Sequence, residues 1–90
     1  MARVVLTKHL RRFFPALEDG EVEGATVRDL VAALDRRHPG LAGYVVDDAG
    51  RLRPHVHVFI NDEMVKDRRG LGDAVGPEDR VHILQALSGG

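Results

Sequence analysis

The chain ends in Ser88-Gly89-Gly90, directly behind a strongly apolar segment. Two consecutive residues without Cβ can lie extended in a narrow channel and let an enzyme approach the backbone closely. The reactive group of such an end is the Gly90 carboxylate. It is a poor electrophile until it becomes an acyl anhydride. Once activated, it can be attacked by a sulfur or a nitrogen nucleophile. The plain alternative is a frayed end without a role.

A second set of reactive side chains comes from the five histidines. In an extended run His55 and His57 share a face, and His82 sits in another apolar run that could lie beside it. A zinc site takes four ligands, or three and a water, with supporting partners behind them. The spacing here fixes none of these, so no metal is expected and the histidines read as a solvated sheet face. Arg11, Arg12, Lys66, Arg68 and Arg69 read as solvated surface or as a basic patch for an acidic partner. The apolar side chains Phe13, Phe14 and Leu84, with Ala86 and Leu87 beside the tail, are the candidates for partner docking. That role requires them on the sheet side facing away from the helix, and the plain alternative is that Phe13 or Phe14 closes the edge of the core.

These groups need a scaffold, and the hydropathy pattern predicts one. Residues 4–9 alternate as a first strand, residues 10–15 turn away, and Asp19-Gly20 is a turn signal before a short return strand over 21–23. Thr26 caps a helix, with Asp29 three residues on in the manner of a capping box. Val27, Leu30, Val31 and Leu34 form one apolar stripe, and Pro39-Gly40 ends the helix. Tyr44-Val45-Val46 reads as a strand, Asp47 to Gly50 as a turn and Arg51-Leu52-Arg53 as its return. Residues 55–60 alternate as a strand and 61–63 turn. Residues 68–79 read as loop, and 80–87 as the final strand. The helix stripe is expected to face Val4, Leu6, Val56, Val58 and Val81. The order implies an α+β fold, a mixed sheet with one main helix packed across one face. Residues 1–90 are expected to form a single domain with residues 88–90 as a flexible tail.

Composition narrows the functions. The 90 residues suit one domain of modest core. Thirteen basic against 14 acidic residues leave a formal net charge of −1, which gives no global pull toward nucleic acid or an anionic membrane. The absence of cysteine excludes a disulfide scaffold, a thiolate metal site and a cysteine nucleophile. Only Phe13, Phe14, Tyr44 and Phe59 are aromatic, too few for a stacking platform for single strands. No apolar run approaches the roughly 20 residues of a membrane span. The N-terminus shows no apolar signal segment, so a cytoplasmic location is expected.

In its whole length the sequence resembles the ubiquitin-like small sulfur carriers of the MoaD/ThiS family. The resemblance lies in the opening Val4-Val5-Leu6, in Leu10-Arg11-Arg12-Phe13 and in the helix from Thr26 to Leu34 with its stop His38-Pro39-Gly40-Leu41. It continues in Phe59-Ile60-Asn61-Asp62, in the approach Gly76-Pro77-Glu78-Asp79-Arg80-Val81 and in the tail Leu84-Gln85-Ala86-Leu87-Ser88-Gly89-Gly90. It implies a β-grasp fold. It also implies that an ATP-dependent adenylating enzyme forms an acyl-adenylate on Gly90. A sulfur donor such as a desulfurase would then leave a C-terminal thiocarboxylate, and an accepting synthase would take the sulfur. The carrier itself would be no enzyme and would bind no cofactor, ATP being used by the partner. Lys8-His9, the stretch from Tyr44 to Pro54 and Gln85 depart from the common pattern. The pathway therefore stays open among molybdopterin-, thiazole- and cysteine-type routes.

Three other functions fit parts of the sequence. A ubiquitin-like modifier would use the same activated Gly90 against a lysine amine. A small metal enzyme would use His55, His57 and His82. A structural adaptor would make nothing of the Gly-Gly end.

Overall fold

The computed structural model describes residues 1–85; Ala86, Leu87, Ser88, Gly89 and Gly90 lie outside the described residues. In chain order the elements are β1 (Ala2–Leu6), α1 (Lys8–Phe13), β2 (Gly20–Val22), α2 (Val27–Arg37), α3 (Ala42–Val45), β3 (Val56–Ile60), β4 (Glu63–Met64) and β5 (Arg80–Gln85). The five strands make one mixed sheet in the order β2-β1-β5-β3-β4. β1 and β5 run parallel at its centre, and the other neighbours are antiparallel.

Alternation along the strands selects the two faces. Ala2, Val4 and Leu6 of β1, Val56 and Val58 of β3, and Val81 and Ile83 of β5 are all buried. They meet the stripe of α2, where Val27, Leu30, Val31, Ala33 and Leu34 are buried. The residues expected to meet across the core are therefore all buried, and the core also takes in Leu10, Leu17, Leu41, Val45 and Leu52 from outside that set. The start of α2 is built from two polar side chains. Thr26 Oγ1 accepts from the Asp29 N–H at 3.2 Å. Asp29 Oδ2 accepts from the Ala25 N–H at 3.2 Å, so the reciprocal half of the box reaches one residue further upstream. At the other end the Arg37 guanidinium donates to the Glu21 carbonyl at 3.0 Å, tying the helix to the edge strand β2.

Four expectations need correction, the simplest being the turn over 61–63, where Glu63 already opens β4 and pairs with Ile60. The first strand ends at Leu6, and residues 8–13 are helix rather than turn. The physical cause is Asp19. Its Oδ1 accepts from the Leu6 N–H at 3.0 Å and leaves that group nothing to offer a neighbouring strand. The following turn winds so that Leu10 is fully buried. The third correction is α3, where a strand was expected at Tyr44-Val45-Val46. Leu41 and Val45 stand four residues apart and are both fully buried, which is helical spacing. Asp35 Oδ1 accepts from the Gly40 and Ala42 N–H groups at 3.1 and 3.0 Å, so a polar residue of α2 starts α3. Of the expected hairpin only the bridge between Val46 and Leu52 remains. Fourth, His55 precedes β3 in a turn instead of opening the strand.

The long loop before β5 is held by carboxylates. Asp67 accepts from the N–H groups of Arg69, Gly70 and Gly72. Asp73 accepts from those of Lys66 and Asp67. Backbone bonds that neutralise many donors at one carboxylate favour its ionised form, and Asp67 is held below the usual carboxylate range chiefly by the Gly70 N–H.

Candidate functional site

The site is the end of the sheet at which the chain leaves β5. Its position follows from two registers. Leu6 pairs with Ile83 across the parallel pair, and Val56 pairs with Gln85 across the antiparallel one. The last residues of β1 and the first of β3 therefore flank Gln85. Beyond Leu6 comes α1, and ahead of Val56 comes the turn carrying Arg53 and His55. The His55 Nε2 lies 3.3 Å from the Gln85 side-chain nitrogen.

Around this end the structure assembles side chains that the sequence scatters. Phe13 is 56% exposed and stacks on Tyr44 of α3 with ring centroids 4.8 Å apart and 25° between planes. Phe14 meets Tyr44 edge-on at 5.4 Å and packs against the core. Arg53 Nε donates to the Gly43 carbonyl at 2.8 Å. Phe13 and Phe14 thus belong to the helical layer, where α3 packs on α2. The sheet-side placement that docking beside Leu84 would require is therefore not met, and Phe14 takes the alternative position at the core edge. The cause is α1, which carries both rings away from the strand plane.

Leu84 does lie on the open sheet face, 37% exposed. Opposite the buried set, this face carries Val5, His82, Phe59 and Met64 in one cross-strand row, by the pairs Val5–His82, His82–Phe59 and Phe59–Met64. Leu84 and His57 form the next pair. All six are exposed or partly exposed. The expected docking residues Ala86 and Leu87, and the tail residues Ser88, Gly89 and Gly90, fall outside the described residues.

The three histidines are not brought together. His55 turns to Gln85, while His57 and His82 share the open face on neighbouring strands. Among the described residues no group of three metal-ligating side chains converges. The five basic residues do not form one patch either. Arg11 pairs with Asp19 at 3.0 Å. The Arg68 guanidinium turns inward to the Arg53 and Val56 carbonyls at 2.8 and 2.9 Å, a structural role that charge alone in the sequence does not reveal. An open depression of about 450 Å³ runs beside β4 between Ile60, Met64, Lys66 and Asp73. It lies by Ile60, which pairs with Val81 at the start of β5, and so away from Gln85.

No helix among the described residues is long and apolar enough to cross a membrane. A model of the ThiS family matches residues 4–90. Small archaeal modifier protein 3 of Haloferax volcanii is 34% identical over 68 residues, which cover 76% of this chain and 73% of that protein. Sulfur carrier protein CysO of Mycobacterium tuberculosis is 34% identical over 73 residues, 79% of this chain and 74% of that protein. Among solved structures, a chain of the Amycolatopsis orientalis BexX/CysO complex superposes with a TM-score of 0.85 at 30% identity, and each chain is covered completely.

Proposed function

The chain belongs to the ThiS family, and from that membership we propose that it carries sulfur on its C-terminal glycine. The observation that carries this reading is a family match that runs to Gly90 itself, behind a strand that delivers the chain to one end of the sheet. In the proposed cycle an adenylating enzyme binds ATP. The Gly90 carboxylate oxygen attacks the α-phosphorus, and pyrophosphate leaves. The persulfide of a donor such as a desulfurase then attacks the carbonyl carbon, and AMP leaves with the bonding electron pair. A second thiol attacks the donor sulfur of the acyl disulfide so formed, the donor and that thiol end as a disulfide, and a thiocarboxylate is released. In the accepting synthase the thiocarboxylate sulfur forms a bond to the acceptor, water attacks the carbonyl carbon, the carbon–sulfur bond breaks with its electron pair on sulfur, and the carboxylate returns.

In this reading the carrier is a co-substrate of its partners, and the exposed Leu84 on the open sheet face offers them an apolar contact. The likeness to CysO supports sulfur carriage. The existence of a BexX/CysO complex supports docking to another protein. Whether the sulfur enters a molybdopterin-, thiazole- or cysteine-type route is a property of the partners rather than of these side chains.

Intact mass spectrometry of the protein from its own cell tests the reading. A fraction heavier by the exchange of one oxygen for sulfur, localised to Gly90, is expected. Its absence after incubation with ATP, the adenylating enzyme of the same cell and a sulfur source would overturn it.

One observation favours a second reading. The likeness to an archaeal modifier protein fits attack on the same activated carbonyl by a lysine amine, giving an isopeptide bond and releasing AMP. Immunoblots of the cell would then show a ladder of conjugates that disappears when Gly90 is deleted.

A further inference from the structure

The open sheet face is one surface beside the tail; the end of the sheet offers another. We infer that the Phe13–Tyr44 stack, with Lys8, Arg12 and Arg53 around it, is a docking collar that seats against the acidic mouth of the channel through which the adenylating enzyme takes the tail. This rests on the carrier reading and adds to it the surface and the partner chemistry.

The argument begins with reach. Five residues follow Gln85, and a fully extended chain covers at most about 3.6 Å per residue, or roughly 18 Å. An enzyme acting on the Gly90 carboxylate must bring its reacting atoms within that distance of Gln85. Its bulk then presses on whatever surrounds the end of β5. By register that surrounding is α1 on one side and the Arg53–His55 turn on the other. α1 is short, about 9 Å at 1.5 Å per residue, so the whole of it lies within the zone of contact.

The chemistry of the zone then decides what fits. Phe13 leaves 56% of its surface exposed, and the Tyr44 ring covers one of its faces. Phe14 already closes the core edge, so core closure does not account for Phe13. A large flat ring held rigidly by a stacked neighbour loses little side-chain entropy on binding, which is the property of an interface anchor. Lys8 and Arg12 are exposed and Arg53 is partly so. Among the described residues none of the three belongs to an ion pair, whereas Arg11, Arg37 and Arg51 do. Three cations without carboxylate partners around an aromatic anchor call for carboxylates on the other side. The partner surface is therefore an apolar seat with an acidic rim.

The test is ATP–pyrophosphate exchange by the adenylating enzyme of the same cell, with the full-length carrier as the varied substrate. Phe13→Ala and Arg12→Glu are expected to melt as the parent does. Each should raise KM for the carrier about tenfold at nearly unchanged kcat, and Arg12→Glu should flatten the salt dependence of kcat/KM. Phe13→Trp should restore the parent KM. Unchanged KM in both variants, with the parent active, would overturn the collar and leave the carrier reading standing. No exchange with the parent chain would overturn the carrier reading and the collar with it. A parent dimer in sedimentation that Phe13→Ala dissolves would assign the stack to a second copy of the chain and overturn the collar as well.

Discussion

Leu6 and Ile83 lie directly side by side on parallel strands, and both are buried. This pair fixes the end of β5 in the middle of the sheet, because β5 is the central strand and β1 is its neighbour. The proposed chemistry at Gly90 should therefore be separable from folding. Adding one residue after Gly90 should abolish sulfur loading, since the reacting carboxylate is displaced from the glycine. The thermal melt should stay where it is. Mass spectrometry of the extended protein and a melt of the same sample check both halves.

The core should respond in the opposite way. Val58 is fully buried at the centre of β3. A carboxylate there has no partner, and an unpaired buried charge costs several kcal/mol. Val58→Asp should abolish the cooperative transition. The milder Leu30→Ala, on the buried stripe of α2, should cost about 2–5 kcal/mol, measured as a lower urea midpoint.

These core positions were legible because burial imposes a period on sequence. The stripe of α2 and the alternation of β3 and β5 both announce themselves, and Thr26 with Asp29 marks the helix start. What escaped is held by polar side chains acting at a distance. Asp19 ends β1 from 13 residues away, and Asp35 starts α3 across a turn. Arg68 reads as a surface charge yet fastens two carbonyls. α1 turns on a single buried leucine, which is too little to show a period. The Leu41–Val45 spacing was a usable signal for α3, masked by the β-branched pair Val45-Val46. Phe13 was singled out in the sequence as a docking candidate. Its stacking on Tyr44 required the helix that the sequence did not announce.

Gly24 tests the junction between β2 and α2. Its φ is +151°, and a Cβ there would stand 2.8 Å from Asp29 Cβ and 3.0 Å from the Leu30 nitrogen. Neither neighbour is the free end of a flexible chain. Gly24→Ala should destabilise the fold by about 1–3 kcal/mol. Gly50 is a fair control, with a φ of +81° and nothing within 4 Å of a Cβ, where Gly50→Asn should be far better tolerated, asparagine being at home in the left-handed region. Chemical denaturation of both variants gives the comparison.

Acid should weaken the fold partly through Asp19. The Leu6 N–H holds its carboxyl below the usual range, and Arg11 adds to this, against the opposing effect of burial. A group with a lowered folded pKa binds fewer protons in the folded state than in the unfolded one. Its contribution is fully present above the ordinary carboxylate value of about 3.9 and is lost as pH falls through the lowered one. Asp19→Asn should therefore be less stable than the parent near pH 7 and lose less on acidification. Asp19→Ala leaves the Leu6 N–H without its partner and should cost about 1–2 kcal/mol. Urea midpoints of the three proteins across the acid range decide it.

The open sheet face and the collar are different surfaces, and that difference is measurable. Leu84 faces His57 across the β5–β3 pair on the open side, while Phe13 stands on the helical layer against Tyr44. Leu84→Glu places a charge where an apolar seat is proposed, yet the side chain is exposed enough that the fold should hold. KM for the adenylating enzyme should rise about tenfold. The two residues stand on different layers, so their effects should add as free energies. If one partner grips both surfaces at once, Leu84→Glu combined with Phe13→Ala should raise KM roughly a hundredfold. If Leu84→Glu leaves KM unchanged and the double variant matches Phe13→Ala alone, the surfaces serve different partners. The open face would then belong to the protein that accepts the sulfur.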